Sequence, residues 1–343
     1  MTTPDLTPLA VNTPRRFYRG GERVYAFRGL PVPDDFDGYR PEDWLASTTR
    51  LFAEGGDGVT DLGGGRDLAA ALLADPVGWL GEEHVRLHGT EPGILTKLLD
   101  AGERLPVHAH PDRAFAAAHL DCDHGKTEAW IVLVAEPGAV VWLGFRDDVD
   151  PTDLAEMVAA QDERLLEACN RLEVSAGDTI LVPAGQPHAI GEGVLVLELQ
   201  EPTDLSVMLE HQRFGLEEAH AFLGLPREVA LRSVDTAALD EGAVASLRRR
   251  WTDVRGVDSA LPERAAEFFR AQVVSTTTGP AQVDPGFSVT VVVDGRGTID
   301  TEHGSGPRDI SKGDVLLVPH GAGRVRFEGG VTVIRCLPPG GSA

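Results

Sequence analysis

The sequence predicts a mainly β protein organised as two similar β-barrels with helical insertions, and three observations carry that prediction. First, Ala176-Gly177-Asp178-Thr179-Ile180-Leu181-Val182-Pro183-Ala184-Gly185 returns as Lys312-Gly313-Asp314-Val315-Leu316-Leu317-Val318-Pro319-His320-Gly321. Each copy reads as a Gly-Asp turn, one apolar strand and a Pro/Gly exit that bends the chain, and an internal echo of this kind points to two copies of one architecture. Second, apolar runs bounded by turn residues, such as Ala129-Trp130-Ile131-Val132-Leu133-Val134 and Ala139-Val140-Val141-Trp142-Leu143, read as strands. Third, helical spacing is confined to a few stretches between such runs.

Along the chain, the first hundred residues mix short apolar runs with Gly/Pro/Asp turns, including the loop Gly55-Gly56-Asp57-Gly58 and the run Gly63-Gly64-Gly65. No Lys-Ser/Thr pair follows that run, so it reads as a turn and not as a phosphate-cradling loop. Residues 67–80 predict an amphipathic helix, and β patterns return over 93–107 and 129–145. Residues 151–172 predict a helix with Leu154, Met157, Val158, Leu165, Leu166 and Cys169 near helical spacing, Asp150 as N-cap and Pro151 in the first turn. Strands resume at Leu172-Glu173-Val174. Residues 216–269 are richer in helix formers. The expected organisation is therefore a metal-binding catalytic domain over 1–215 with a helical insert near 150–172, a helical connection over 216–269, and a second, metal-free barrel over 270–338.

The metal expectation comes from His108-Ala109-His110-Pro111. Residues i and i+2 of a strand point to one face, so both imidazoles can offer nitrogens to one ion. Glu128 and His188, each within strand-like surroundings, complete a set suited to zinc or a similar divalent metal. In the second copy of the echo the chain reads Gly321-Ala322-Gly323-Arg324-Val325, without a histidine at the place matching His188. His303 and His320 are expected to be exposed.

Lysine is rare: Lys97, Lys126 and Lys312 stand among 31 basic residues. A chain that uses arginine for generic positive charge keeps a lysine where a compact, tunable ammonium is wanted. Lys126 lies two residues before Glu128, and Lys97 shortly precedes the histidine pair, so both are candidates for polar support of a reaction. Glu198, in Val194-Leu195-Val196-Leu197-Glu198-Leu199, is the candidate acid/base.

Charge and composition exclude several classes. With 54 acidic residues and a net charge of −23 over 343 residues, the chain repels polyanions, which argues against nucleic acid and anionic membrane surfaces as partners. A small sugar or sugar phosphate remains admissible, and the oligomeric state is left open. Three scattered cysteines without a C-x-x-C pair fit a reducing compartment. Met1-Thr2-Thr3-Pro4-Asp5 lacks the basic start of a signal peptide and no stretch has the length of a membrane span, so a cytoplasmic protein is expected.

Taken together, Leu95-Thr96-Lys97-Leu98-Leu99-Asp100, His110-Pro111-Asp112, Gly125-Lys126-Thr127-Glu128-Ala129-Trp130 and the Gly-Asp strand that ends in His188-Ala189-Ile190-Gly191 resemble the type I mannose-6-phosphate isomerases of the cupin superfamily. Pro41-Glu42-Asp43-Trp44-Leu45-Ala46-Ser47 resembles that family's early Glu-x-Trp-x-x-Ser segment, which makes Trp44 a substrate-binding candidate. The resemblance implies paired cupin barrels, one zinc ion, and Glu128, His188 and His110 as ligands. His108 stands where the family usually has a glutamine. Pro106 replaces a serine near the substrate, and Met208 falls where the family usually supplies an arginine. Arg213 and Lys97 are the cations able to compensate.

The resemblance implies a metal-dependent aldose–ketose isomerase interconverting mannose 6-phosphate and fructose 6-phosphate. An isomerase of an unphosphorylated or different sugar, a non-catalytic sugar-binding or regulatory cupin, and a metal-dependent oxygenase are the alternatives that the residues leave open.

Overall fold

A computed structural model describes residues 5–52 and 58–340. Residues Met1-Thr2-Thr3-Pro4 of the N-terminal segment and Gly55-Gly56-Asp57 of the early loop lie outside the described residues. The architecture is mainly β, with two barrels packed against one another. In the first, a six-stranded antiparallel sheet runs in the order Arg248–Arg250, Asp178–Val182, Glu128–Ala135, Val194–Gln200, Leu95–Ala101, Glu42–Leu45. A five-stranded sheet faces it, in the order Val207–Met208, His108–Ala109, His188–Ile190, Val140–Phe145, Cys169–Glu173. The second barrel repeats the plan with the path Thr7–Pro8, Val315–Val318, Ser288–Thr301, Val331–Leu337, Arg270–Ser275, Val257–Ser259.

The echo in sequence is an echo in turn chemistry. The Asp178 carboxylate accepts from the Ser175 amide at 2.9 Å, and Asp314 accepts from the Ser311 amide at 2.8 Å. Each turn needs its glycine in the left-handed region, at φ 103° for Gly177 and 95° for Gly313. Space closes the same door: a Cβ on Gly313 would stand 2.3 Å from the Phe27 carbonyl oxygen.

The repeat extends to register. In the first barrel Glu198 lies opposite both Lys97 and Trp130, Val196 opposite Val132, and the ladder then slips between Leu195 and Val196. In the second, Arg335 lies opposite Gln272 and Thr290, Val333 opposite Val292, and the slip falls one residue further on, as in the first. The outer faces of these ladders share one apolar cluster, in which Ile131, Leu195 and Leu197 join Ala271, Val289, Ile334 and Cys336. Burial on both sides explains the nearly continuous apolar reading of Val194–Gln200.

Several expected boundaries move. The helix anticipated over 67–80 is two, Leu68–Ala74 and Pro76–Leu80, because a proline ring disfavours helical backbone at the preceding Asp75, which instead caps the second helix. The helix anticipated over 151–172 ends at Ala160, with Gln161 left-handed; a short helix Arg164–Ala168 follows, and Cys169–Glu173 is already a strand paired with Val140–Phe145. The divisions at 215 and 269 are crossed by strand addition. Arg248–Arg250 joins the first barrel, whereas Thr7–Pro8 and Val257–Ser259 join the second. Edge strands recruit any extended segment that can satisfy their free N–H and C=O groups, which composition does not reveal. Among the described residues no helix is long and apolar enough to cross a membrane.

Replacing Gly313 by Ala should cost on the order of 1–3 kcal/mol, since it forces a Cβ into a left-handed turn against backbone. Urea unfolding reads this directly, and an unchanged midpoint and slope would show the turn to be adaptable.

Candidate metal centre and active site

The ladder assembles the site. His108 and His188 are directly opposed on neighbouring strands, and His110 follows two residues after His108. One ring nitrogen from each of the three buried histidines lies within 4.8 Å of the other two. Glu128 reaches in from the opposing sheet, with Oε2 3.0 Å from His110 Nε2 and Oε1 3.3 Å from His188 Nε2.

Each imidazole is oriented by its other nitrogen. Nδ1 donates to a backbone carbonyl in all three: Pro106 at 2.9 Å from His108, Leu205 at 3.0 Å from His110, and Gln186 at 2.8 Å from His188. A carbonyl only accepts, so Nδ1 carries the proton and Nε2 keeps its lone pair, the arrangement found in metal-binding histidines. His110 Nε2, His188 Nε2 and Glu128 Oε2 are buried and make no hydrogen bond. Unshared lone pairs converging in a buried site are costly without a cation between them. The cluster thus fits a divalent metal. Burial, reinforced by Lys126, holds His110 down at about 3, and burial with its two histidine neighbours holds His108 well below the usual range. Both are neutral, as ligands must be. Burial alone would raise Glu128, but the neighbouring Lys126 ammonium helps to hold the carboxyl well below its usual range and ionised.

Beside the cluster lies a small cavity of about 30 Å³, room for about one water. Glu198, Lys97 and Lys126 line it together with His108, Glu128, Pro106 and Met208. Glu198 is turned inward by strand alternation, opposite Lys97, whose ammonium lies 3.7 Å away. Burial, with Glu128 adding to it, pushes Glu198 up to about 7 against the pull of both lysines. Lys126 sits 3.6 Å from Glu128 and is lowered by burial, with Lys97 adding to that. Burial opposes the charge on Lys97 too, but Glu42 at 3.3 Å and Glu198 prevail and raise it. An outer pocket of about 350 Å³ shares Arg16, Phe17, Ser206 and Met208 with the inner one and adds Arg15, Tyr39 and His220.

Two anticipated substrate contacts are placed elsewhere. Arg213 is exposed on a single turn, its guanidinium over the Phe214 ring, and lines neither pocket; the turn Gln212–Phe214 points it to solvent. Trp44 is 1% exposed and also lines neither. Its indole donates to Glu42 at 2.5 Å and carries Lys97 on its face at 4.7 Å, so it supports a cation that does line the site. His320, expected to be exposed, is half-buried against Gly81.

Sequence reasoning missed Arg16, Glu42, Tyr18, Asp204 and Ser206. Arg16 forms a two-pronged pair with Asp204 at 3.1 and 3.2 Å and reaches Glu42 at 3.2 Å, and the Tyr18 hydroxyl donates to Glu42. Arg16 lies 188 residues from Asp204, a separation without any local signature. Ser206 was legible in principle, two residues before Met208 in Thr203-Asp204-Leu205-Ser206-Val207-Met208; its Oγ lies 3.2 Å from His110 Nδ1 and 3.4 Å from Lys126 Nζ. It returns a hydroxyl to a pocket from which Pro106 removes one.

A mannose-6-phosphate isomerase of Streptococcus mutans is 30% identical to this chain over 324 residues, covering 92% of it and 93% of the relative. The chain belongs to the mannose-6-phosphate isomerase family. No family model matches the sequence. In fold, the mannose 6-phosphate isomerase of Bacillus subtilis superposes with a TM-score of 0.73 at 22% identity, covering 97% of this chain and 99% of that one. A mannose 6-phosphate isomerase solved with zinc and yttrium superposes at 0.72 and 12% identity, over 98% and 100% of the two chains. The family's paired-cupin fold thus spans both barrels here.

His188→Ala and His110→Ala should each weaken metal binding by more than the roughly 10–100-fold typical of losing an outer-shell partner. Elemental analysis after dialysis against a mild chelator measures this. Equal, full occupancy in wild type and both variants would remove these residues from the ligand set.

Proposed function

We propose that the protein interconverts mannose 6-phosphate and fructose 6-phosphate, with a zinc ion held by His108, His110, Glu128 and His188. The observation that carries this reading is Glu198, a buried carboxyl poised near neutrality at the wall of the cavity on which the ligand lone pairs converge. Family membership supplies the substrate class.

When bound, a divalent ion supplies Lewis-acid polarisation of the sugar's carbonyl and hydroxyl oxygens. The chain's own groups do the rest. Glu198 as carboxylate takes the proton from C2 of the open-chain aldose; the C–H electron pair becomes the C1=C2 bond and the carbonyl π pair moves to O1. Lys126, its proton loosened by burial, lies on the same cavity wall to donate to the oxygen where charge builds. Glu198 then returns its proton to C1 while O2 gives its own to the Lys126 amine left by that donation, which completes the ketose and restores both groups. Lys97 holds Glu198 in place, and Trp44 and Glu42 hold Lys97.

The inner cavity has room for the reacting end alone, so the rest of the sugar phosphate occupies the outer pocket. Arg15 and Arg16 there are the cations in reach of a phosphate. Arg16 is already matched by Asp204 and Glu42, which keeps it fixed and charged.

Incubation with mannose 6-phosphate in D2O should give fructose 6-phosphate with solvent deuterium at C1. Glu198→Gln should lower kcat by roughly 10²–10⁴-fold, the usual contribution of a positioned base; wild-type turnover in that variant would assign the proton transfer to another group. Arg213→Ala should leave kcat and KM unchanged, and free mannose should be a far poorer substrate than its 6-phosphate. Similar kcat/KM for both sugars would favour an isomerase of unphosphorylated sugars.

The same carboxyl fixes a pH dependence. Activity requires ionised Glu198, whose carboxyl is pushed up to about 7 without the metal ion and lies lower beside the ion's charge, so kcat of the metal-loaded enzyme should fall as pH drops through a midpoint below 7. Its folded pKa lies above the usual 4.5, so between those values the native state holds a proton that the unfolded chain has released. Glu198 therefore contributes apo-protein stability that is lost as pH rises through that window, opposite in sign to the buried His108 and His110, so the stability difference between wild type and Glu198→Gln should fall with pH across it.

A further inference from the structure

The second barrel repeats the ladder of the first but inverts its charge. The shared register sets Arg335 where the first barrel has Glu198, Gln272 where it has Lys97, and Thr290 where it has Trp130. Ser288, opposite Val318, stands where Glu128 stands opposite Val182. An acid/base and a metal-ligating carboxylate are thus replaced by a cation and a hydroxyl, a donor set that repels metal ions and suits an anion.

Arg335 is 2% exposed, yet none of its hydrogen bonds goes to a carboxylate. One terminal nitrogen donates to Gln272 Oε1 at 2.9 Å and the other to the Asp284 backbone oxygen at 3.3 Å, while Nε is buried without a partner. Ser288 Oγ and Thr290 Oγ1, on the same face of the sheet, are likewise buried and unpartnered. Burial, with Arg270 adding to it, lowers Arg335 to about 10, which leaves it charged at neutral pH. The exposed Asp284 carboxylate attracts Arg335 only from beyond ion-pair distance, and a buried cation without an ion-pair partner is costly and persists where something repays the cost.

Arg335 opens onto a cleft of about 760 Å³ between the second barrel and the helices Pro76–Leu80 and Glu82–His88, a size suited to a small metabolite. Arg270 lies at its rim, held by a hydrogen bond to the Pro338 carbonyl at 3.0 Å, and His84 and His320 face it from the other side. The acidic residues of the lining, Glu83, Asp258, Glu263 and Asp284, are all exposed, and none forms an ion pair with Arg335 or Arg270 among the described residues.

We propose that this cleft is a second ligand site, separate from the metal centre, which takes a phosphate-class oxyanion on Arg335 with Arg270 and Gln272 as further donors. Guanidinium groups match the geometry of phosphate oxygens. The ligand would bridge the second barrel and the helices that precede the first barrel's Leu95–Ala101 strand. The site stands on its own observations and does not depend on the isomerase reading.

Melting of the metal-loaded protein in inorganic phosphate, against sodium chloride of equal ionic strength, tests it. Phosphate should raise the wild-type Tm by a few degrees. Arg335→Met should lose most of that rise, and calorimetric titration should show phosphate binding to this site weakened by at least about tenfold. Arg270→Ala, at the exposed rim, should weaken it several-fold and keeps the test decisive if Arg335→Met does not fold. Glycerol 3-phosphate as a second titrant separates the sources: binding alongside phosphate assigns a phosphomonoester, and binding of phosphate alone assigns the free ion. Equal phosphate responses in wild type and variants, or none in wild type, would overturn the site.

Discussion

The antiparallel register of the Val194–Gln200 strand is the constraint on which the site depends. That strand sits between Leu95–Ala101 and Glu128–Ala135, so one alternation decides three side chains together: Glu198, Lys97 and Trp130 all turn into the barrel. A slip of one residue would send Glu198 into the apolar interface with the second barrel and bring Leu197 or Leu199 to the cavity. The apolar cluster behind the strand forbids the slip. Hydrophobic burial on one face thus fixes the position of the Glu198 carboxyl on the other.

Electrostatically, the site is a chain of alternating charges rather than a single ion pair. Ion pairs link Asp204, Arg16, Glu42, Lys97 and Glu198, another links Lys126 and Glu128, and the attraction between Glu198 and Lys126 joins the two. Arrangements of this kind contribute little to net stability, because desolvation offsets attraction, but they fix geometry and set proton affinities. Here Glu128 is held ionised while Glu198 is brought close to neutrality. Environments that drive two carboxyls apart separate a ligand from an acid/base.

The two barrels share a ladder and differ in what its inward positions carry. The Gly-Asp turns, the strand registers and the slip are common to both, since they satisfy the same backbone demands. Inward side chains are not dictated by those demands, so one barrel gathers imidazoles and carboxylates and the other an arginine with hydroxyls. Fold and chemistry are separable at this level.

From the sequence alone, periodicity and turn chemistry determined the β character, the doubling and the inward His108/His110 pair, because these are local properties of a strand. Rarity also spoke: of three lysines, the two singled out both line the cavity. Helix limits were legible only in part, since Pro76 and Gln161 break runs whose apolar spacing continues. Tertiary structure alone decided that Arg16 meets Asp204, that Ser206 restores a hydroxyl, that Arg213 faces solvent, and that Thr7–Pro8 and Arg248–Arg250 each complete a distant sheet. These are contacts between segments far apart in the chain, chosen by free strand edges and by the packing of two barrels. No pattern within a window of residues encodes which distant partner an edge or a buried charge will find.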